Sequence, residues 1–475
     1  MLGGTHLNRL SGNDMRHHLL LLASAALLVA AAPSDRLPRS TAFGVAGTPQ
    51  EVSGNRRGVR ADSVAAGLTG EALGLRAGDI VLDINDAPIP DMASFAGAAA
   101  RLQAGQRVRM TVWREGRERT LRAAAVGRPI ETYRNGTAAY GAVPFHGGLL
   151  REVMVTPNTG ATGPVVFLIQ GYTCDSFETT SAESPHRLLF DGLLARGISV
   201  YRVEKPQAGD SRGGPACRDI DFDTEMESFE AGYRALMTTH NIAPDRIFML
   251  GHSMGGVQAP LLASRVAAPR GVAVYGTVMR NWHDYMFDIF RIQGFTGSGG
   301  DPVEGETQSE ALRQLLSDLL LVRRTPAELA GAGAEQDRLL RTFLLWDGQH
   351  QLMSRHYSYW QDLAAQRLVA AWRDTRSNVL AVYGESDVAA ISNTDHRMIA
   401  DMVNHYRPGT ARFVEVPRTG HGMTLDGSMA ELRAARGARP ATRPPFNPEL
   451  IAIFGDWIES TMRKPPVAAG QAAAG

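Results

Sequence analysis

Apolar residues recur along the 475-residue chain in three different rhythms. Between residues 40 and 127, strand-like runs at 80–84 and 108–113 flank an alanine-rich stretch with helical spacing, and Arg114-Glu115-Gly116-Arg117 supplies a hairpin turn. These signals predict a small α+β domain. From Tyr133 onward, short β-branched runs bounded by Gly, Pro or polar residues alternate with helical stretches; the candidate strands are "PVVFLIQ", "ISVYRV", "RIFMLG", "GVAVYGT", "NVLAVYG" and "ARFVEV". Continuously apolar strands separated by helices predict a mostly parallel sheet covered on both faces, an α/β domain over residues 133–463. That alternation stops over about 278–377, where Leu, Arg, Trp, Met and Tyr recur at helical spacing, so this stretch reads as a helical cap inserted into the sheet domain.

The two ends of the chain add a compartment. Arg16, His17 and His18 precede an apolar run over 19–32 that is too short to span a bilayer comfortably and ends in small residues, which predicts a signal peptide over residues 1–32. Cleavage after Ala31 is expected because cleavage after Ala32 would leave Pro33 at the new N-terminus; an uncleaved anchor is the alternative. The expected location is periplasmic or secreted, with no stable membrane span after cleavage. Residues 464–475 carry few anchoring side chains and are expected to be a disordered tail. Lys plus Arg balances Asp plus Glu at 49 each, so no net field recruits nucleic acid or an acidic membrane. Export changes the reading of the cysteines: Cys174 and Cys217 are an even count in an oxidising compartment, which favours a disulfide over two buried thiols. Such a bridge would close a loop of about forty residues, worth about 4 kcal/mol by chain entropy.

In an open parallel sheet, ligands sit beyond the carboxyl ends of the strands, so the residues following each strand carry the chemical argument. "RIFMLG" is followed by Gly251-His252-Ser253-Met254-Gly255, a Gly-x-Ser-x-Gly turn between strand and helix that would hold Ser253 strained and exposed. "NVLAVYG" leads into Glu385-Ser386-Asp387, and "ARFVEVP" into Arg418-Thr419-Gly420-His421-Gly422. Serine, aspartate and histidine therefore follow three strands in the chain order Ser, Asp, His, with Asp387 preferred to Glu385 and His252 read as a packing residue of the turn. Ser253 is the expected nucleophile, His421 the general base and acid, and Asp387 the group that orients the imidazole. The backbone N–H groups of Tyr172, in "QGYTCDS" after the first central strand, and of Met254 are the expected oxyanion donors, with Thr173 disfavoured.

Two resemblances follow from these residues. Gly74-Leu75-Arg76-Ala77-Gly78-Asp79, an apolar strand and Asn85-Asp86-Ala87-Pro88-Ile89 resemble the PDZ modules of bacterial envelope proteases over residues 40–127. That resemblance implies a groove for a peptide C-terminus, with Phe43, Gly44 and Val45 in the carboxylate-binding loop. The Gly-x-Ser-x-Gly turn, Met254-Gly255-Gly256 and Gly420-His421-Gly422 resemble the α/β-hydrolase superfamily of serine esterases, lipases and peptidases over roughly 133–463. It implies an acyl-enzyme on serine and no cofactor. No His/Asp cluster has metal-ligand spacing, and epoxide hydrolase or dehalogenase chemistry would need a carboxylate at position 253. The sequence thus points to an exported serine hydrolase of carboxylic esters; a serine peptidase, and an envelope scaffold with an inactive hydrolase domain, are the alternatives. In the cap, Trp346, Met353, Tyr357 and Trp360 are candidates either for the helix core or for an apolar substrate pocket.

Overall fold

A computed structural model describes residues 37–52, 56–160, 163–178, 181–293, 300–435 and 442–467. The expected signal peptide, residues 1–32, lies outside them, as do residues 468–475 of the expected tail. Of that tail, Lys464 follows the helix Glu449–Met462, and its carbonyl accepts a hydrogen bond from Arg270. Among the described residues no helix is long and apolar enough to cross a membrane.

The N-terminal part is a six-stranded antiparallel sheet of β1 (Val45–Val52), β2 (Arg56–Val64), β3 (Ile80–Ile84), β4 (Ala87–Pro88), β5 (Arg107–Arg114) and β6 (Arg117–Ala124). The sheet runs β1-β2-β3-β5-β6, with β4 beside β3. Glu115 and Gly116 both adopt positive φ, which lets β5 and β6 meet through a two-residue turn matching strand twist. The Gly-Asp pair of the motif has a structural purpose: buried Asp79 accepts from the Arg76 N–H at 2.7 Å and pairs with Arg114 at 2.6 Å. Helix Met92–Ala100, capped by the Asp91 side chain, packs Phe95 edge-on against Phe43 with ring centroids 5.3 Å apart.

The larger sheet contains β7 (Gly136–Phe145), β8 (Gly148–Pro157), β9 (Val165–Ile169), β10 (Ser199–Val203), β11 (Ile247–His252) and β12 (Gly271–Tyr275). A two-stranded ribbon of β13 (Gln351–Leu352) and β14 (Arg355–His356) lies in the inserted segment, and β15 (Asn378–Gly384) and β16 (Ala411–Val416) complete the sheet. The order is β16-β15-β12-β11-β9-β10-β8-β7, and five of its seven pairings are parallel. The antiparallel pairings join β8 to β10 and to β7. All six strands expected from sequence are present; the β7–β8 hairpin was not anticipated. Residues of β9 to β12 and β15 are nearly all buried, as strands covered by helices on both faces must be.

Chain entering and leaving the N-terminal part is held by one buried charge cluster. Arg39 bonds Glu178 and Asp210, the latter at 2.6 Å, and donates to the carbonyl oxygens of Arg128 and Pro129. Ser40 N–H donates to Asp210 Oδ1 at 2.6 Å, and Arg151 Nε reaches Asp210 Oδ2 at 3.2 Å. The Asp210 and Glu178 side chains are fully buried, so their charges depend on these partners. Asp210→Ala should therefore leave Arg39 and Arg151 short of a counter-charge and cost about 3–5 kcal/mol. Chemical denaturation measures the loss, and faster proteolysis around residues 128–130 should accompany it.

Candidate active site

β11 delivers Ser253 to the carboxyl end of the sheet in a conformation that few L-residues adopt, φ 57° and ψ −124°. Its glycine neighbours make this turn possible by allowing close approach. A Cβ on Gly255 would sit 2.0 Å from the Ile169 carbonyl oxygen, and one on Gly256 would lie 2.5 Å from Thr277 Cβ. The helix Met254–Arg265 thus starts directly against the ends of β9 and β12, and Ser253 N–H is tied to the Tyr275 carbonyl at 2.9 Å. Met254 is the first helical residue, so its N–H has no intrahelical acceptor and lies at the positive end of the helix dipole.

Asp387 and His421 arrive from β15 and β16. His421 Nδ1 lies 2.9 Å from both Asp387 carboxylate oxygens, and Ala390 N–H donates to Asp387 Oδ1 at 3.0 Å. Facing a carboxylate, Nδ1 carries the proton and leaves the Nε2 lone pair free. Gly276, at φ 62°, makes room for the pair: a Cβ there would stand 2.5 Å from Asp387 Oδ2 and 2.9 Å from His421 Nδ1. Burial works against charge on both groups. The mutual attraction and hydrogen bonds outweigh it, holding the Asp387 pKa below its ordinary value and the His421 pKa above 6.5. Glu385, the rival acid, is engaged elsewhere, accepting from the backbone N–H groups of Arg418 and Met429. Ser253 and His421 line one cavity; among the described residues Ser253 Oγ makes no hydrogen bond.

His252 does more than fill the turn. Its Nε2 lies 2.9 Å from the His421 carbonyl, and its Nδ1 lies 3.1 Å from His186 Nε2. A carbonyl only accepts, so His252 donates through Nε2 and must accept from His186 through Nδ1. Burial pushes His186 down to about 4 and His252 well below its ordinary value, keeping both neutral in this directional chain.

The loop after β9 is fastened on several sides. Cys174 and Cys217 form a disulfide with Cα atoms 5.7 Å apart, joining this loop to the one after β10. Tyr172 OH donates to the Met353 carbonyl at 2.7 Å, reaching into the inserted segment. Sequence reasoning passed over three buried charges behind the loop. Lys205, Glu225 and Arg355 are each no more than 1% exposed, and Glu225 Oε2 lies 3.1 Å from Lys205 Nζ and 2.6 Å from Arg355 Nη2. Burial lowers the Lys205 pKa to about 8 although Glu225 opposes the shift. Residues 205, 225 and 355 follow no common period, so no pattern along the chain points to them.

The cavity in front of Ser253 has a volume of about 410 Å³. Its walls include Tyr172, Val257, Trp282, Tyr285, Met286, Ile289, Met353 and Trp360, with Thr277 and Gln293 as polar members. Among the described residues lining it, none carries a carboxylate, ammonium or guanidinium group.

The alpha/beta hydrolase family model matches residues 165–435, more than half of the chain. The chain belongs to the α/β-hydrolase family. A PDZ domain model matches residues 49–124 of this hydrolase, so its N-terminal part is a PDZ domain. Comparison with curated proteins gives no match. Similar solved structures include Est1E from Butyrivibrio proteoclasticus at 15% identity, covering 63% of this hydrolase and 96% of that chain, with a TM-score of 0.38. The esterase Pf2001 of Pyrococcus furiosus has 15% identity, coverage of 70% and 97%, and a TM-score of 0.41. The acylaminoacyl peptidase of Pyrococcus horikoshii has 11% identity, coverage of 78% and 48%, and a TM-score of 0.43.

Of the four side chains singled out in the inserted segment of the hydrolase, Met353 and Trp360 line the cavity. Trp346 instead packs with Arg341 over its ring at 4.7 Å, and Tyr357 lies against His356. Trp282, Tyr285 and Met286, on the helix Trp282–Asp288, supply much of the remaining wall and were not identified from sequence. In the PDZ domain, Phe43 is buried, Gly44 has φ 66° and Val45 opens the edge strand β1. His252→Phe should strand the His421 carbonyl and His186 without their partner and cost about 1–3 kcal/mol, read as a lower denaturation midpoint.

Proposed function

We propose that this hydrolase cleaves uncharged carboxylic esters through an acyl-enzyme on Ser253. The observation that carries the reading is the juxtaposition of a hydroxyl on a strained turn with a carboxylate-held imidazole at the wall of an apolar cavity. Ser253 Oγ attacks the ester carbonyl while His421 Nε2 takes its proton, and Asp387 stabilises the resulting imidazolium. Charge developing on the carbonyl oxygen is met by the N–H groups of Tyr172 and Met254. His421 returns the proton to the departing alkoxide. Water then attacks the acyl-serine, giving up a proton to His421, which passes it to the departing Ser253 oxygen as the carboxylic acid is released.

The apolar wall favours esters over terminal cleavage of peptides, because it offers no ion partner for a chain-end ammonium or carboxylate. An apolar acyl or alkyl group buried there gains about 25 cal/mol per Å² removed from water. The run over residues 19–32 and the disulfide support export to the periplasm or beyond. Phe43 and Gly44, ahead of the edge strand β1, and Val45, its first residue, fit capture of a peptide C-terminus by strand addition.

Short- and medium-chain aryl esters should be turned over, and a fluorophosphonate should label Ser253. Ser253→Ala should lower kcat by at least about 10⁴, and Asp387→Asn by about 10³–10⁴. A general base must be unprotonated, so kcat/KM should rise with pH through the His421 ionisation, above pH 6.5. Asp387→Asn removes the charge that raises this pKa and should move that limb to lower pH. Ester turnover surviving in Ser253→Ala would overturn the reading; turnover of an aminoacyl-proline peptide panel in place of esters would shift it to a peptidase.

A further inference from the structure

The carbonyls of three successive residues in the loop after β9 are each bonded by a side chain. Lys205 Nζ donates to the Gly171 oxygen at 2.7 Å, Arg355 Nη1 to the Tyr172 oxygen at 3.0 Å and Gln170 Nε2 to the Thr173 oxygen at 3.3 Å. The first of these bonds has a direct geometric consequence. The Gly171 carbonyl and the Tyr172 N–H belong to one planar trans peptide and point in opposite directions. Gly171 itself abuts the nucleophile turn, since a Cβ there would lie 3.4 Å from Ser253 Cβ. A cation that draws the Gly171 oxygen into the protein therefore turns the Tyr172 N–H out toward the cavity.

We infer that Lys205 is a positioning residue for the oxyanion site: through the Gly171 carbonyl it holds the peptide plane whose N–H receives the developing negative charge. Glu225 anchors the lysine, bonding Lys205 and Arg355 through one oxygen and Gln258 and Tyr359 through the other, at 2.8 and 3.2 Å. Arg355 lies on β14, so the inserted segment completes the clamp. Gln258 lies on the helix that begins at Met254, so the same carboxylate braces the element carrying the second donor. Two cations around one carboxylate exceed what charge balance requires. The excess is accounted for by carbonyl oxygens, each of which accepts one of the remaining donors.

This inference rests on the acyl-transfer reading, and Ser253-dependent turnover by the wild-type enzyme tests that reading first. If the wild type neither hydrolyses esters nor labels at Ser253, both fall; if it does, the variants decide the positioning role alone. Lys205→Met keeps the side-chain length and leaves Arg355 and Glu225 as a balanced pair. It should lower kcat per fluorophosphonate-titrated site tenfold or more, within the 10²–10³ cost of losing an oxyanion donor outright. KM should stay within about threefold, and affinity for a boronic acid that mimics the tetrahedral adduct should fall in proportion to kcat. If Lys205→Met does not fold, Lys205→Gln, which keeps a polar group near Glu225 but is too short to replace the ammonium at the Gly171 oxygen, should show the same split. A loss of kcat below tenfold, or a change confined to KM, titre or melting temperature, would overturn the inference and leave Lys205 a structural residue.

Discussion

Ser253 occupies a backbone conformation that costs on the order of 1–3 kcal/mol for a residue with a side chain, and the surrounding packing must sustain it. It does so through contacts closer than a Cβ would permit: Gly255 against the Ile169 carbonyl and Gly256 against Thr277. Parallel register places the ends of β9, β11 and β12 side by side, so the turn after β11 is flanked by the loops after its two neighbours. The rest of the site follows from that alignment. Tyr172 comes from one flanking strand, Gly276 from the other, and the space that Gly276 leaves vacant is where Asp387 and His421 meet.

Around this centre the protein uses charge sparingly and away from the cavity. The cavity wall is aromatic and aliphatic, whereas Lys205, Glu225 and Arg355 are enclosed behind the loop after β9. Such a cluster is expensive to bury and persists when geometry and extra hydrogen bonds satisfy it. Here the additional acceptors are main-chain oxygens, so electrostatic energy is converted into a fixed direction for neighbouring amides. Neutral His186 and His252 serve a comparable purpose on the opposite side, fixing the His421 main chain by donors whose order along the chain is set by chemistry.

Much of this architecture was legible along the chain because it is written in local patterns. Apolar runs marked every parallel strand, and the residue types just beyond three of them marked Ser253, Asp387 and His421. The β7–β8 hairpin escaped notice because "GTAAYGAVPF" mixes small and half-exposed residues without a clean alternation. Helical spacing in the inserted segment separated wall from core poorly: Trp346 and Trp360 look alike in sequence, yet one packs under Arg341 and the other faces the cavity. The buried clamp was the least accessible feature. Lys205, Glu225 and Arg355 are ordinary surface residue types, and nothing in their flanking residues announces that they converge.

Arg39 bonds at once to the main chain at Arg128 and Pro129 and to acids of the hydrolase domain. One arginine thus ties the two ends of the PDZ domain to the same pair of acids, Glu178 and Asp210. A strand added along β1 would therefore extend a domain whose entry and exit are pinned together by one guanidinium.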